Sequence, residues 1–290
     1  MMGKPGKPGG NLGGETWGQT GRTPVFLPMR ECTRDLAGKN LHHPIATESF
    51  SDMFLEMARL PRVVIVDVAH HVTQRGNARQ VIIADDADRF TYLELLRKYS
   101  ELYCLSLLGY CLMSNHVHLI VIPRTVESLS QTLKHSHGRY ASYWNARQSS
   151  TGHVWQGRFY SCPLDTPHLW AALRYVELNP VRAGLVPAAE HWPWSSAGAH
   201  CRDEVSNPLL EMQPWRIHWT AAEWREYLTA ESQSDLPALR HCTHTGRPLG
   251  TPEFVAALEQ STLRLLAPQK GGRPKKPSLD SPQRNLVLIA

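Results

Sequence analysis

The chain has 290 residues, 42% of them hydrophobic, and a formal net charge of +5. This length exceeds one ordinary domain, the apolar content supports a real core, and a sequence pI of about 8.9 suits a polyanionic partner. No apolar run approaches the roughly 18 residues of a membrane span, which excludes a membrane partner, and the charged N-terminal residues have no apolar segment behind them, so no secretory signal is expected.

In chain order, residues 1–56 are rich in glycine and proline without a sustained period and are expected to form a disordered extension. Ordered pattern begins at Met57, which could serve as the translation start in place of Met1. The β-branched run Val63 to Val68 predicts a strand, followed by a polar stretch, His71 to Arg79, and a short apolar run, Val81 to Ile83. Asp86 and Asp88 favour a helix N-terminus, and Phe90, Leu93, Leu96 and Tyr99 carry helical spacing. Tyr103 to Leu112 fits a buried strand, Ser114-Asn115 a turn, and His116 to Ile122 an alternating strand stopped by Pro123. A helix from Val126 to Trp144 and a strand from Val154 to Leu164 follow. Thr166 as N-cap, Pro167 in the first turn and Asn179-Pro180 at the end bound the next helix.

This order is β-α-β-β-α-β plus a terminal helix. It predicts an α+β fold, a ferredoxin-like split βαβ antiparallel sheet with helices on one face. Past residue 205 the tryptophans Trp215, Trp219 and Trp224, with Tyr227, mark a helix-like stretch, and Phe254 to Leu266 marks another. The expected division is a disordered extension at 1–56, a catalytic domain at 57–204, a helical C-terminal extension at 205–268 and a basic disordered tail at 269–290. Lys270, Arg273, Lys275 and Lys276 in that tail would add salt-dependent phosphate affinity without reading sequence. The six cysteines contain no CxxC pair, which excludes a zinc framework or secreted disulfide scaffold and makes a reducing cytosol the default. Cys104 and Cys111 lie in apolar runs and read as small buried hydrophobes.

Two groups carry chemistry. His116 and His118 project from one face of a strand, so both imidazoles can converge on one ion; equally, they can be half-buried strand histidines bonded to carbonyls. On the helix after Pro167, Leu169, Ala172, Leu173 and Val176 form an apolar stripe. Tyr175 and Asn179 are i, i+4 neighbours on one margin of it. A tyrosine one turn from an amide is a candidate nucleophile beside a metal ligand, or else a plain helix anchor followed by a helix-stopping Asn.

Residues 113–121, MSNHVHLIV, resemble the His-hydrophobe-His (HUH) motif of single-strand DNA transposases. The blocks HVTQRGN (71–77), HVWQGRF (153–159), RYVELNPVRAGLV (174–186) and WPWSS (192–196) are similar, in the same order, to those of the REP-associated tyrosine transposases. The resemblance spans about residues 57–200, and the later GRPLG and GRPK segments resemble the C-terminal extension of some members. It implies that His116, His118 and Asn179 hold a divalent cation, Mg²⁺ or Mn²⁺, and that Tyr175 attacks phosphorus to give a covalent phosphotyrosine and a free 3′-hydroxyl. Reversal by another 3′-hydroxyl would rejoin strands. No residue stands out as the base that takes the tyrosine proton.

The implied substrate is single-stranded hairpin DNA of the repeated extragenic palindromic type in a bacterial cell, with a cytoplasmic, nucleoid-associated location. Arg75, Asn77, Gln156 and Arg158 lie in the family-like blocks as DNA-contact candidates, although Arg75 and Arg158 serve salt bridges equally well. Trp155 suits the core better than base stacking. Related transposases act as dimers with the tyrosine supplied across the interface, whereas this subgroup would act as a monomer; monomer and homodimer both stay open. Two other functions fit: a non-cleaving hairpin-DNA-binding regulator, and a replication- or conjugation-type HUH nickase.

Overall fold

A computed structural model describes residues 62–202, 207–230 and 236–267. The expectations for 1–56 and for the tail lysines and arginine lie outside the described residues. The elements run β1 (Ala69–Arg75), α1 (Asp86–Leu102), β2 (Leu105–Leu112), β3 (His116–Pro123), α2 (Ser128–Arg147), β4 (Tyr160–Leu164) and α3 (Thr166–Glu177). The four strands form one antiparallel sheet in the order β2-β3-β1-β4. That is the α+β, ferredoxin-like split βαβ arrangement anticipated above.

β1 and β2 run parallel with β3 between them, as do β3 and β4 around β1. Each is joined by a crossover helix, and right-handed crossovers place both helices on the same face. α1 and α2 accordingly pack against each other. α1 starts at a capping box: Asp85 accepts from the Asp88 amide, and Asp88 reaches back to the Asp85 amide at 3.3 Å.

The strands predicted from Val63 and from Val154 start later than expected, each for a physical reason. The β-branched run Val63 to Val68 does not pair in the sheet; Asp67 adopts a left-handed conformation (φ 59°) that breaks the extension, and the strand begins at Ala69. Val63 is instead buried against Leu258 and Leu266. The strand predicted from Val154 begins only at Tyr160, because Gly157 takes φ 108°. The run Val81 to Ile83 forms no strand, but Ile82 and Ile83 are fully buried.

Period-two alternation and the register divide the sheet into two faces. His71, Thr73 and Arg75 share a face with Ile120, His118 and His116, and with Cys162 and Tyr160 on the other side. Val72, Val117, Leu119 and Val121 are buried on the opposite face. α3 covers the histidine face at close range: a Cβ at Gly109 would lie 2.2 Å from Leu173 Cδ1 and 3.0 Å from Ser196 Oγ. Only a glycine permits that approach.

The Asn179-Pro180 step ends α3 but does not end the helical path. After Leu178 the chain enters a short helix, α4 (Asn179–Arg182), with Pro180 in its first turn, where a missing N–H is tolerated. α5 (Ala197–Arg202), α6 (Gln213–His218) and α7 (Ala221–Thr229) follow, then α8 (Leu236–Thr245) and α9 (Pro252–Thr262). The tryptophan-rich stretch is two helices, split at Trp219-Thr220 by the Thr220–Glu223 capping box. α3 is therefore not a half-exposed amphipathic helix: Arg174, Tyr175 and Glu177 are buried along with its apolar stripe. Arg174 donates through Nε to the Tyr227 carbonyl (2.6 Å) and through Nη2 to those of Leu228 (3.3 Å) and Ala230. A cation thus satisfies the orphan carbonyls at the end of α7.

Candidate active site

The strand register sets His116 and His118 side by side on β3, with ring centroids 5.0 Å apart. Each is anchored through Nδ1. His116 Nδ1 lies 2.7 Å from Asn115 Oδ1, and Asn115 is itself oriented by donating through Nδ2 to the Arg79 carbonyl (3.3 Å). His118 Nδ1 lies 2.9 Å from His71 Nε2. The available donor on both rings is then Nε2. Burial, aided by the Arg75 charge, lowers the His116 pKa to about 4, and burial lowers that of His118 well below its ordinary value. Both rings are therefore neutral at pH 7, the form a metal requires.

α3 delivers Tyr175 to these histidines. Its ring meets those of His118 and His71 edge-on, at 5.6 and 5.9 Å between centroids. Asn179, one turn on, donates through Nδ2 to the carbonyls of Val176 (3.2 Å) and Tyr175 (3.4 Å), which leaves its amide oxygen available. His116, His118, Tyr175 and Asn179 all line one cavity of about 450 Å³. The four residues singled out from the sequence thus converge, and the tyrosine meets the histidines of its own chain.

Among the described residues no three His, Cys, Asp or Glu form a metal-binding group. Two neutral imidazoles and an amide oxygen at one cavity are a donor set of the kind that suits a divalent ion such as Mn²⁺ or Mg²⁺.

The other expected contacts divide. Arg75 and Gln156 line the same cavity, and the Gln156 amide bonds to the Arg75 carbonyl at 2.9 Å. Asn77 is exposed and does not line it. Arg158 lines an adjoining cavity of about 340 Å³ with Arg62, whose guanidinium lies 3.6 Å from the Phe159 ring centroid. Burial, then the neighbouring Arg158 charge, lowers the Arg62 pKa to about 10. Trp155 belongs to the core, stacked on His137 at 4.5 Å and donating to the His137 carbonyl at 2.9 Å.

Sequence reasoning missed four residues around the tyrosine. The Arg182 guanidinium lies 4.2 Å from the Tyr175 ring centroid and donates to the Tyr175 carbonyl (2.7 Å). Arg240, on α8, donates through Nε to the Tyr175 oxygen (3.3 Å). His71 and Thr243 form the hydrogen-bond path behind His118. Arg182 and His71 stand inside quoted blocks, but their partners are set by tertiary contacts. Nothing local marks Arg240 or Thr243.

The site thus consists of a split βαβ sheet bearing a His-hydrophobe-His strand, with a tyrosine helix laid across it. Residues 65–179 match the family described as "Transposase IS200 like". The match ends at Asn179, the first residue of α4, so α5 to α9 lie beyond it. Among solved structures, the chain is similar to a REP-associated tyrosine transposase bound to a REP hairpin, at 17% identity and a TM-score of 0.44, over 53% of this chain and 90% of that one. It is also similar to a candidate transposase from Deinococcus radiodurans R1, at 16% identity and a TM-score of 0.29, over 41% of this chain and 96% of that one. At these identities and scores neither likeness bears on function. No curated relative matches the chain.

Proposed function

We propose that the protein is a metal-dependent tyrosine transposase of the REP-associated type, which cleaves and rejoins single-stranded hairpin DNA through a phosphotyrosine intermediate. The observation that carries this reading is the shared cavity: Tyr175 and two histidines with uncommitted Nε2 atoms open into one space, against which the phenol oxygen is held by Arg240. His116, His118 and Asn179 would hold the cation, which when bound would polarise a non-bridging phosphate oxygen and offset charge in the transition state.

The protein's own residues supply the rest. The Tyr175 oxygen attacks phosphorus; a P–O bond to the phenol forms as the bond to the 3′ oxygen breaks, and that oxygen leaves as the free 3′-hydroxyl. Arg240 and Arg182 place positive charge beside the phenol as it loses its proton. Attack by a 3′-hydroxyl on the phosphotyrosine reverses the bond changes and rejoins DNA without an external energy source. Arg75 and Gln156 contact the strand at the cavity, Arg158 and Arg62 contact it in the adjoining one, and the tail residues Lys270, Arg273, Lys275 and Lys276 add non-specific phosphate affinity. Asn77 contacts the strand outside the cavity. The packing of Tyr175 against His118 of its own chain supports a monomer over a homodimer that supplies the tyrosine across its interface. DNA as substrate puts the protein in the cytoplasm at the nucleoid; no helix among the described residues is long and apolar enough to cross a membrane.

The test is to incubate the purified protein with single-stranded hairpin oligonucleotides and Mn²⁺ or Mg²⁺ and to look for a covalent adduct on a denaturing gel. Wild type forms it, Tyr175→Phe does not, and His118→Ala loses cleavage while keeping most DNA affinity. Tight hairpin binding without any adduct would instead identify a regulator, and an adduct that survives Tyr175→Phe would remove the tyrosine from its role.

A further inference from the structure

Behind His118 runs a buried chain of hydrogen bonds that the catalytic reading does not use. His71 Nε2 meets His118 Nδ1 at 2.9 Å, His71 Nδ1 meets Thr243 Oγ1 at 2.7 Å, and Thr243 Oγ1 meets Cys162 Sγ at 3.3 Å. The two ring planes lie within 9° of each other with centroids 5.1 Å apart. His71 and Thr243 are each only 2% exposed and Cys162 is fully buried, so water does not compete for these bonds. Thr243 lies on α8, beyond the segment that matches the transposase family.

A neutral imidazole has one N–H and one lone pair. The bonds made by the two imidazoles can therefore run in only two directions. In one, His118 Nδ1–H donates to His71 Nε2 and His71 Nδ1–H donates to Thr243 Oγ1. His118 then turns a bare Nε2 lone pair toward the cavity. In the other direction both bonds reverse, the Thr243 hydroxyl donates to His71 Nδ1, and His118 Nε2 carries a hydrogen, which no cation can use as a ligand.

We propose that His71 and Thr243 are a positioning pair: they set the tautomer of His118 and so determine whether it can ligate a cation, and a bound cation in turn fixes the direction of both bonds. This rests on the reading that His118 is a metal ligand. It makes α8, from the C-terminal part of the chain, a working component of the metal site. Outer partners of this kind are worth about 10- to 100-fold in metal affinity.

The experiment uses the full chain without DNA and with Mn²⁺ alone, titrated by electron paramagnetic resonance. Thr243→Val, which keeps the shape and removes the hydroxyl, should weaken Mn²⁺ binding about 10- to 100-fold, and Thr243→Ser should restore it. Nitrogen-15 spectra of the histidine rings in Mg²⁺-saturated protein should show both His118 and His71 protonated at Nδ1 in wild type, with His71 losing that single form in Thr243→Val. Wild-type affinity and unchanged ring spectra in Thr243→Val would overturn the inference while leaving the metal site intact. A wild type that binds no Mn²⁺, equal in this to His118→Ala, would overturn the metal reading itself and the inference with it.

Discussion

The two sides of α3 carry similar polar groups and meet opposite fates. Toward the sheet, Tyr175 joins His116 and His118 at a cavity of about 450 Å³. On the other side, Glu177 is fully buried and accepts hydrogen bonds from Ser196 Oγ (2.5 Å), His200 Nδ1 (2.6 Å) and Trp224 Nε1 (2.8 Å). Both clusters combine histidine with a side chain of the same helix, two residues apart. The difference is whether lone pairs are left over. Around Glu177 the carboxylate oxygens are taken up by donors from α5, α7 and the preceding turn, so the cluster clamps the C-terminal helices to α3. At the cavity the histidines keep Nε2 and Asn179 keeps its amide oxygen, so the cluster can bind something else.

Breaking the closed cluster should show its structural character most strongly. Glu177→Ala leaves the Ser196, His200 and Trp224 donors buried and unpaired, and is expected to cost about 3–5 kcal/mol of unfolding free energy. Denaturant titration measures this, and the folded fraction should still form adduct. A stable Glu177→Ala protein that cannot cleave would erase the distinction between the two sides.

Removing a cation from the open cluster should do the reverse. Arg240 is exposed and reaches the Tyr175 oxygen at 3.3 Å. Arg240→Gln is expected to slow adduct formation about tenfold, less than loss of a closely held oxyanion donor would, with the unfolding midpoint unchanged. Single-turnover rates on a saturating hairpin read this directly.

A third histidine environment gives the smallest and most graded effect. His137 lies in the core between the Tyr92 hydroxyl (2.9 Å) and Trp155, and burial lowers its pKa to about 3. Unfolded, it titrates near 6.5. As pH falls below about 6.5 the unfolded state takes up a proton that the folded state refuses, so stability drops by up to about 1.4 kcal/mol per pH unit until the pH nears 3. His137→Gln should remove this residue's share of the slope between pH 6 and pH 4. An unaltered slope would place the burden on the other buried histidines, His70 among them, whose pKa burial lowers to about 4.

Much of the open cluster was legible because its signals are local. The alternation through His116, Val117 and His118 places both rings on one face, Pro167 opens the helix, and i, i+4 spacing aligns Tyr175 with Asn179. The N-cap is one residue earlier than the hydroxyl suggests: Asp165 accepts from the His168 amide at 3.0 Å. The closed cluster was not legible. Arg174 and Glu177 carry no sequence signal of their burial because their partners come from 19 to 56 residues away, and no periodicity reports that. The β-branched run Val63 to Val68 likewise gave no sign that Asp67 turns left-handed (φ 59°) or that Val63 packs against α9 and its following turn. Arg240 and Thr243 reach the site only because α8 folds back onto β4 and β1.

The central claim is that Tyr175 becomes covalently joined to DNA. The most direct measurement is mass spectrometry of the adduct after protease and nuclease digestion, mapping the residue that carries the nucleotide phosphate. The account predicts a phosphonucleotide on Tyr175 alone, formed only with divalent cation. A linkage on any other residue, or cleavage with no protein–DNA linkage at any time point, would contradict it.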